Sequence, residues 1–320
     1  MTRILYTCDV HGSNQSYKKL LNAGKYNVYK TDIIMVSGDL TGKAIVPVVE
    51  KPDGTFEAHT QDILGENRIA KTSEELKSLE DIISKVGYYP KKMTPAEIDA
   101  LRNDKALLES ELTKAIDDRM KEWLVLAEER LKDKKVTLYM MPGNDDPRDI
   151  GGIIDQSGFV KNPEGKVINL DQDHEMISLG WSNLTPWKTY RECSEEELEK
   201  RIEEMASQIK NRSNAIFNFH VPPYDSTLDV APVLDENLRP KVVAGDLLRA
   251  PVGSKAVRAA IEKYQPLLGL HGHIHESGGE FRLGRTLCLN PGSEYAAGIL
   301  RGYVIEINAK GLSKYARVEG

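Results

Sequence analysis

The chain has 320 residues, of which 40% are hydrophobic and 29% charged. This is ordinary for a soluble globular protein and long enough for one large domain or two smaller ones. The formal charge of −6 gives no general attraction to polyanions and argues against a nucleic-acid partner. There is no apolar run long enough to cross a membrane, and Asp9 follows Met1 too closely for a signal peptide, so a cytoplasmic protein without membrane contact is expected.

Short apolar runs rich in Ile, Val, Leu and Tyr predict strands at Ile4 to Cys8, Asp32 to Val36, Val136 to Met141, Ala215 to Phe219, Leu267 to Leu270, Thr286 to Leu289 and Tyr303 to Ile307. Their near-continuous hydrophobicity is that of strands buried on both faces under helices, which makes the fold class α/β. Each of the first five runs straight into a polar segment. In order these are Asp9-Val10-His11-Gly12, Gly38-Asp39, Gly143-Asn144-Asp145-Asp146, His220-Val221-Pro222-Pro223 and Gly272-His273-Ile274-His275. The sixth is followed by Asn290-Pro291-Gly292-Ser293. Open α/β sheets gather ligands at such carboxyl ends.

Residues 44 to 134 interrupt this rhythm. A hairpin is expected from Ile45-Val46-Pro47-Val48-Val49 and Thr55-Phe56-Glu57-Ala58 around Pro52-Asp53-Gly54, followed by two helical segments. The second helical segment starts with Thr94 as N-cap, Pro95 at the first position and Glu97 closing a capping box. One apolar stripe then runs from Ile98 through Leu112 and Trp123 to Leu131, which unbroken would make a helix of roughly 50 Å at 1.5 Å per residue. Such a helix covers either its own molecule, as a cap, or a second copy, as a dimer-forming arm. Further on, a capped helix is predicted from Ser194 and Glu197 to about Asn211. The preceding segment, Trp181 to Lys188, carries two tryptophans, which either pack or hold substrate. The three cysteines, Cys8, Cys193 and Cys288, read as reduced thiols, with Cys8 and Cys288 as small core residues.

The polar segments supply Asp9 and Asp39, the amide of Asn144, and the imidazoles of His11, His220, His273 and His275. Two carboxylates, one amide and four imidazoles suit two borderline-hard divalent ions that share a carboxylate. Alternation places Asp9 with His11, and His273 with His275, on common faces. Gly38 and Gly143 permit backbone conformations that other residues resist. His271 reads as a core residue or one that backs the ligands, while His59 and His174 read as solvated.

In its order, Asp-x-His, Gly-Asp, Gly-Asn-x-Asp, His and Gly-His-x-His, the chain resembles the calcineurin-like metallophosphoesterases over residues 1 to 43 and 135 to 300. The resemblance implies two stacked mixed β-sheets flanked by helices, with 1–43 and 135–320 as the catalytic domain and 44–134 as a largely helical insertion. It implies that Asp9, His11, Asp39 and His275 hold one ion, that Asp39, Asn144, His220 and His273 hold the other, and that Asp39 bridges. Manganese is the first expectation, with iron, zinc or nickel as alternatives. Asn290-Pro291-Gly292-Ser293 resembles the tail motif that closes the pocket wall in smaller members.

The activity so implied is hydrolysis of a small-molecule phosphate ester by a metal-bridging hydroxide, with Asn144, Asp145 and Asp146 as catalytic residues and Asn144 and Arg148 contacting the ester. The family commonly has a histidine where this chain has Asp145. A carboxyl with an ordinary pKa near 3.9 is ionised at neutral pH, so Asp145 is expected to orient water or a neighbouring histidine. The added negative charge of Asp145 and Asp146 favours phosphodiesters, or esters with good leaving groups, over dianionic monoesters. A nuclease, a phosphoprotein phosphatase and a catalytically weak metal-binding scaffold are the alternatives.

Overall fold

The computed structural model describes residues 1–320. The chain opens with β1 (Thr2–Thr7), α1 (Asn14–Lys25) and β2 (Ile33–Ser37). It continues through β3 (Ile45–Glu50), β4 (Phe56–Ala58), α2 (Gln61–Leu64), β5 (Arg68–Ala70) and α3 (Ser73–Lys85). Next come β6 (Tyr89–Lys92), α4 (Pro95–Asn103), α5 (Lys105–Leu131), β7 (Thr137–Met141) and α6 (Ile150–Asp155). The middle of the chain forms β8 (Val167–Asn169), β9 (Glu175–Leu179), α7 (Glu195–Ala206) and β10 (Ile216–Phe219). Short strands β11 (Val230–Pro232), β12 (Val242–Val243), β13 (Asp246–Leu247) and β14 (Arg249–Pro251) lead to α8 (Lys255–Tyr264). The last elements are β15 (Leu268–Leu270), β16 (Gly279–Leu283), β17 (Thr286–Asn290), β18 (Arg301–Asn308) and β19 (Gly311–Glu319).

Two mixed sheets dominate, in the orders β19-β18-β1-β2-β7 and β16-β17-β15-β10-β9-β8. In the first, β1, β2 and β7 are parallel; in the second, β9, β10, β15 and β17 are. The period of two along each strand sorts side chains into layers. Ile4 and Tyr6 of β1 meet Ile216 of β10 and Leu268 and Leu270 of β15 in one apolar cluster, so the sheets pack face to face. Leu5 points the other way, into a cluster shared with α1 and α5, and Phe217 and Phe219 point into one shared with α7 and α8. Helices therefore cover both outer faces.

All seven strands expected from the apolar runs are present, with ends displaced by no more than two residues. The unexpected ones have a weaker pattern. β16 and β19 are edge strands with exposed charged residues, and the apolar run of β9 is broken by the buried Ser178. Cys8 and Cys288 are buried free thiols, as expected. His174 is not solvated: it is buried, with Nδ1 2.7 Å from Asp171 Oδ1. Its neighbours looked polar because Asp171 and Asp173 shape the turn that encloses it. No helix is long and apolar enough to cross a membrane.

The segment 44–134 is largely helical, as expected, but carries more strand than the hairpin alone. The β3–β4 hairpin forms, but it grows into a four-stranded sheet, β5-β4-β3-β6, with its own small core of Val46, Val48, Ala58, Ala70, Leu76, Leu79 and Ile83. The capping box at Thr94 is complete, with Glu97 N–H donating to Thr94 Oγ1 and Thr94 N–H to Glu97 Oε2. The long helix is broken, however. Asp104 takes an extended conformation (φ −125°, ψ 101°) and its side chain accepts from Leu107 N–H, ending α4 and starting α5 at one residue. A cap former inside the apolar stripe thus outcompetes one more helical turn. The helix from Ser194 likewise stops at Ala206, and its capping box is half made, because Glu197 pairs with Arg201 at 3.0 Å.

From Ile116 onward the stripe of α5 is buried by its own chain. Ile116, Met120, Trp123, Leu124, Ala127 and Leu131 share a cluster with Leu20 and Leu21 of α1, Ile34 of β2 and Leu138 of β7. Trp123 stacks on Tyr17 with centroids 4.1 Å apart, and its indole N–H donates to Asn14 Oδ1 at 2.7 Å. Since α5 belongs to the main core, Trp123→Ala is expected to lower the unfolding free energy by about 3–5 kcal/mol. Urea denaturation followed by far-UV circular dichroism should show this as an earlier midpoint of the main transition.

Candidate metal centre

The seven ligating residues expected from sequence converge at the carboxyl ends of both sheets. Asp9, His11, Asp39 and His275 each offer an atom within 4.8 Å of the others, and Asp39, His220 and His273 form a second such set. Asp39 belongs to both. Its Oδ2 lies 3.6 Å from His11 Nε2 and its Oδ1 lies 3.3 Å from His220 Nε2, so the two carboxylate oxygens face opposite sides of the cluster. Asn144 Oδ1 is 3.1 Å from His220 Nε2, placing the amide oxygen on the second side. One loop supplies both sets, with His275 on one side and His273 on the other.

The backbone makes this convergence at a cost. Asp9 (φ 52°), His11 (φ 39°), Asp39 (φ 50°) and His273 (φ 67°) are all left-handed. Non-glycine residues rarely adopt that region, and strain of this kind gathers at functional sites. Asp9 and His11 therefore do not share a face through strand alternation, as expected from sequence: β1 has ended at Thr7, and two left-handed residues turn the side chains instead. Gly38 does use a glycine conformation (φ 102°), and a Cβ there would sit 2.0 Å from His220 Nδ1. Gly143 has no such φ; it is glycine because a Cβ would lie 2.2 Å from Asp39 Oδ1. Backbone hydrogen bonds carry the ladder past the strands, from Asp9 N–H to Gly38 O, Gly38 N–H to Met141 O and Gly272 N–H to His220 O.

The electrostatics suit a cation. Asp9 and Asp39 are 1% and 2% exposed, with no Lys or Arg side chain paired to either. Burial would raise both carboxyls, but the surrounding imidazoles outweigh it: His275 and His220 bring Asp9 down to about 2, and His220 and His11 hold Asp39 well below the usual range. Burial lowers His11 to about 3 and His273 to about 4. Burial also opposes charge on His220, yet Asp39 and Asp9 raise it to about 10. His220 Nδ1 faces the Ser37 carbonyl at 3.0 Å, and donation there leaves Nε2 for the cluster. His11 Nε2 and His275 Nε2 approach to 3.0 Å. Two imidazole nitrogens at that distance beside two buried carboxylates are placed to serve one shared cation. The N/O donor set fits a borderline divalent ion without selecting among Mn, Fe, Zn and Ni.

Two sequence-based assignments move. Asp146 does not face the cluster. Its buried carboxylate accepts from Leu40 N–H, Thr41 N–H, Thr41 hydroxyl and Gly143 N–H at 2.7–2.9 Å, tying the Asp39 turn to the Asn144 turn. Burial and the charge of Asp39 raise its pKa to about 6 against the pull of those donors. It is a structural staple. Arg148 also lies away from the ligands: Nε donates to Tyr190 O at 3.0 Å and its guanidinium sits 5.7 Å from the Trp181 ring centre. It packs where an ester contact was expected.

Trp181 is half-buried among Arg148, Arg191 and Arg201, a packing role, whereas Trp187 is 62% exposed. His271 is a core residue, its Nδ1 2.8 Å from Phe219 O; His59 is exposed. Asn290 is buried and donates to Ile274 O at 3.0 Å, while Ser293 hydroxyl donates to Asp9 O at 2.6 Å, so the tail motif fastens the histidine loop to the first aspartate.

Sequence reasoning missed Lys43 and Tyr295. Lys43 Nζ is 2.5 Å from Asp145 Oδ2, which is itself 3.9 Å from His11 Nδ1. Tyr295 packs its ring 4.6 Å from that of His11. A lysine four residues after Asp39 was a readable signal; Tyr295, far along the chain from His11, gave none.

No protein-family model matches the chain. An uncharacterized protein of Methanocaldococcus jannaschii, MJ1162, is 30% identical over 153 residues, 47% of this chain and 62% of that protein. The chain therefore aligns with less than two thirds of that relative's length. One crystal structure superposes on 99% of this chain and 98% of its own, with a TM-score of 0.54 at 15% identity. That of TT1561 of Thermus thermophilus covers 98% of each chain, with a TM-score of 0.50 at 13% identity. Both are similar in fold.

Gly143→Ala should push the Asp39 turn, backbone and carboxylate together, aside and weaken binding of Mn(II) at least about 10-fold, as read by calorimetry. Asp146→Ala leaves its donors unpaired and should lower stability by about 3 kcal/mol or more in urea denaturation.

Proposed function

We propose that this chain is a two-metal phosphoric ester hydrolase of the calcineurin-like type. The observation that carries the reading is the pair of ligand sets that share the buried carboxylate of Asp39. Two divalent ions held there would polarise phosphoryl oxygens and lower the pKa of a water. Asp9, His11 and His275 would hold one ion; Asn144, His220 and His273 the other. Manganese fits the oxygen and nitrogen donors as well as any of the alternatives.

The chain's own residues set the ester preference. Burial and Asp39 raise the Asp145 carboxyl above the usual range, and the Lys43 ammonium pulls it back. Burial alone would lower Lys43, but Asp145 outweighs it and keeps the ammonium charged. The pair sits at the rim of the cluster, with the Lys43 side chain 55% exposed. This alters the charge expected from sequence, because Lys43 offsets Asp145 and makes the site less hostile to a dianion. Lys43 is then the cation that meets the ester's non-bridging oxygens, and Asp145 holds Lys43 and faces His11. Diesters and esters with good leaving groups remain the preferred substrates, by a smaller margin.

Metal-stripped protein reloaded with Mn, Zn, Ni or Fe should hydrolyse bis-p-nitrophenyl phosphate and p-nitrophenyl phosphate, and Asp39→Asn should abolish both activities. No turnover with any metal would overturn the proposal. Lys43→Met should lower monoester turnover about 10-fold and diester turnover no more than about 3-fold. Equal losses on the two substrates would remove Lys43 from the account.

A further inference from the structure

The segment 181–192 reaches the side chain of the ligand Asn144 through one hydroxyl group. Asn144 Nδ2 lies 2.9 Å from Thr189 Oγ1 and 3.3 Å from Asp145 Oδ1. Thr189 Oγ1 lies 2.6 Å from Glu192 Oε1, which also accepts Thr189 N–H at 2.8 Å. The same carboxylate takes the Thr185 N–H at 3.0 Å and the Thr185 hydroxyl at 2.5 Å. Burial raises the pKa of Glu192, but these donors outweigh it and hold the group below the usual range. The ionised carboxylate is an acceptor only.

A hydroxyl has a single proton. Both Thr185 and Thr189 commit theirs to Glu192, so Thr189 turns lone pairs toward Asn144. Only the NH2 end of an amide can meet a lone pair, and the carbonyl end is thereby turned to the cluster, 3.1 Å from His220 Nε2. Had the amide been reversed, its NH2 would face the cluster and repel a cation.

We infer that Thr189 is a positioning residue that selects which end of the Asn144 amide faces the second ion, with Glu192 fixing the direction of the Thr189 proton. This rests on the two-ion reading of the site. It assigns the segment 181–192 a part in metal binding, delivered through an oriented hydroxyl. The backbone of Asn144 is held separately, by Arg191 N–H to Asn144 O at 3.1 Å, so loss of the Thr189 hydroxyl frees the amide without freeing the turn.

Titration of metal-stripped protein with Mn(II), followed by calorimetry and electron paramagnetic resonance, tests the inference. Thr189→Val keeps shape and removes the acceptor. It should weaken one of two Mn(II) sites about 10- to 100-fold and leave the other within about 2-fold, and Thr189→Ser should restore the weakened site to within about 3-fold of wild type. At intermediate Mn(II) the spectrum of Thr189→Val should be that of isolated ions, whereas wild type shows a coupled pair. Unchanged affinity at both sites in Thr189→Val, equal weakening of both, or failure of Thr189→Ser to restore binding would overturn the inference. Wild-type protein that binds fewer than two ions would overturn the two-ion reading beneath it.

Discussion

Two carboxylates buried side by side without a lysine or arginine partner are the constraint around which this molecule is arranged. Asp9 and Asp39 are nearly sealed from solvent, and the groups facing them are imidazoles and two backbone N–H groups, those of His273 and Asp145. Without a metal the offsetting charge falls to imidazolium, chiefly that of His220, which against its own burial is raised to about 10 by Asp39 and Asp9. In the two-ion reading proposed above, divalent cations would meet the same demand with the imidazoles neutral. Four of the residues involved hold left-handed backbones, a cost of the kind that gathers at functional sites.

The sandwich exists in a form that brings these groups together. The first sheet delivers Asp9, His11, Asp39 and Asn144 from the ends of its three parallel strands, and the second delivers His220, His273 and His275 from the ends of two of its own. The two sets meet only because the sheets stack with their carboxyl edges on the same side. Close approach then decides the neighbours: a Cβ at Gly38, Gly143 or Gly272 would collide with His220, Asp39 or Asp9. Residues 44–134 take part as well. Gly87 carries its backbone so near His11 O that a Cβ would lie 2.2 Å away, and Arg119 of α5 donates to Gly12 O at 2.9 Å. The inserted segment thus braces the first ligand turn from outside.

The ligands were legible in the sequence because each is announced by an apolar run that stops at a polar motif, and buried strands leave that mark strongly. What the motif could not show was how the side chains are aimed. Asp146 looked like a member of the site by adjacency, yet a turn points its carboxylate at three backbone N–H groups and a hydroxyl. Arg148 looked like an ester contact and is absorbed by Trp181 and Tyr190. Lys43 stands four residues after Asp39, but its role was not legible from that spacing alone because it depends on Asp145, far along the chain. The break at Asp104 was written in an Asn-Asp pair that the apolar periodicity masked, and β9 was hidden by Ser178, which is buried and accepts from Asn218 Nδ2 at 3.0 Å.

The central claim is that Asp39 stands between two ions. Anomalous diffraction from crystals soaked in Mn(II) tests it most directly. The account predicts two peaks about 3.5–4 Å apart, with one Asp39 oxygen directed at each. One peak would be bounded by Asp9, His11 and His275, the other by Asn144, His220 and His273. A single peak, or ions that leave the Asp39 carboxylate without a metal on either oxygen, would contradict it.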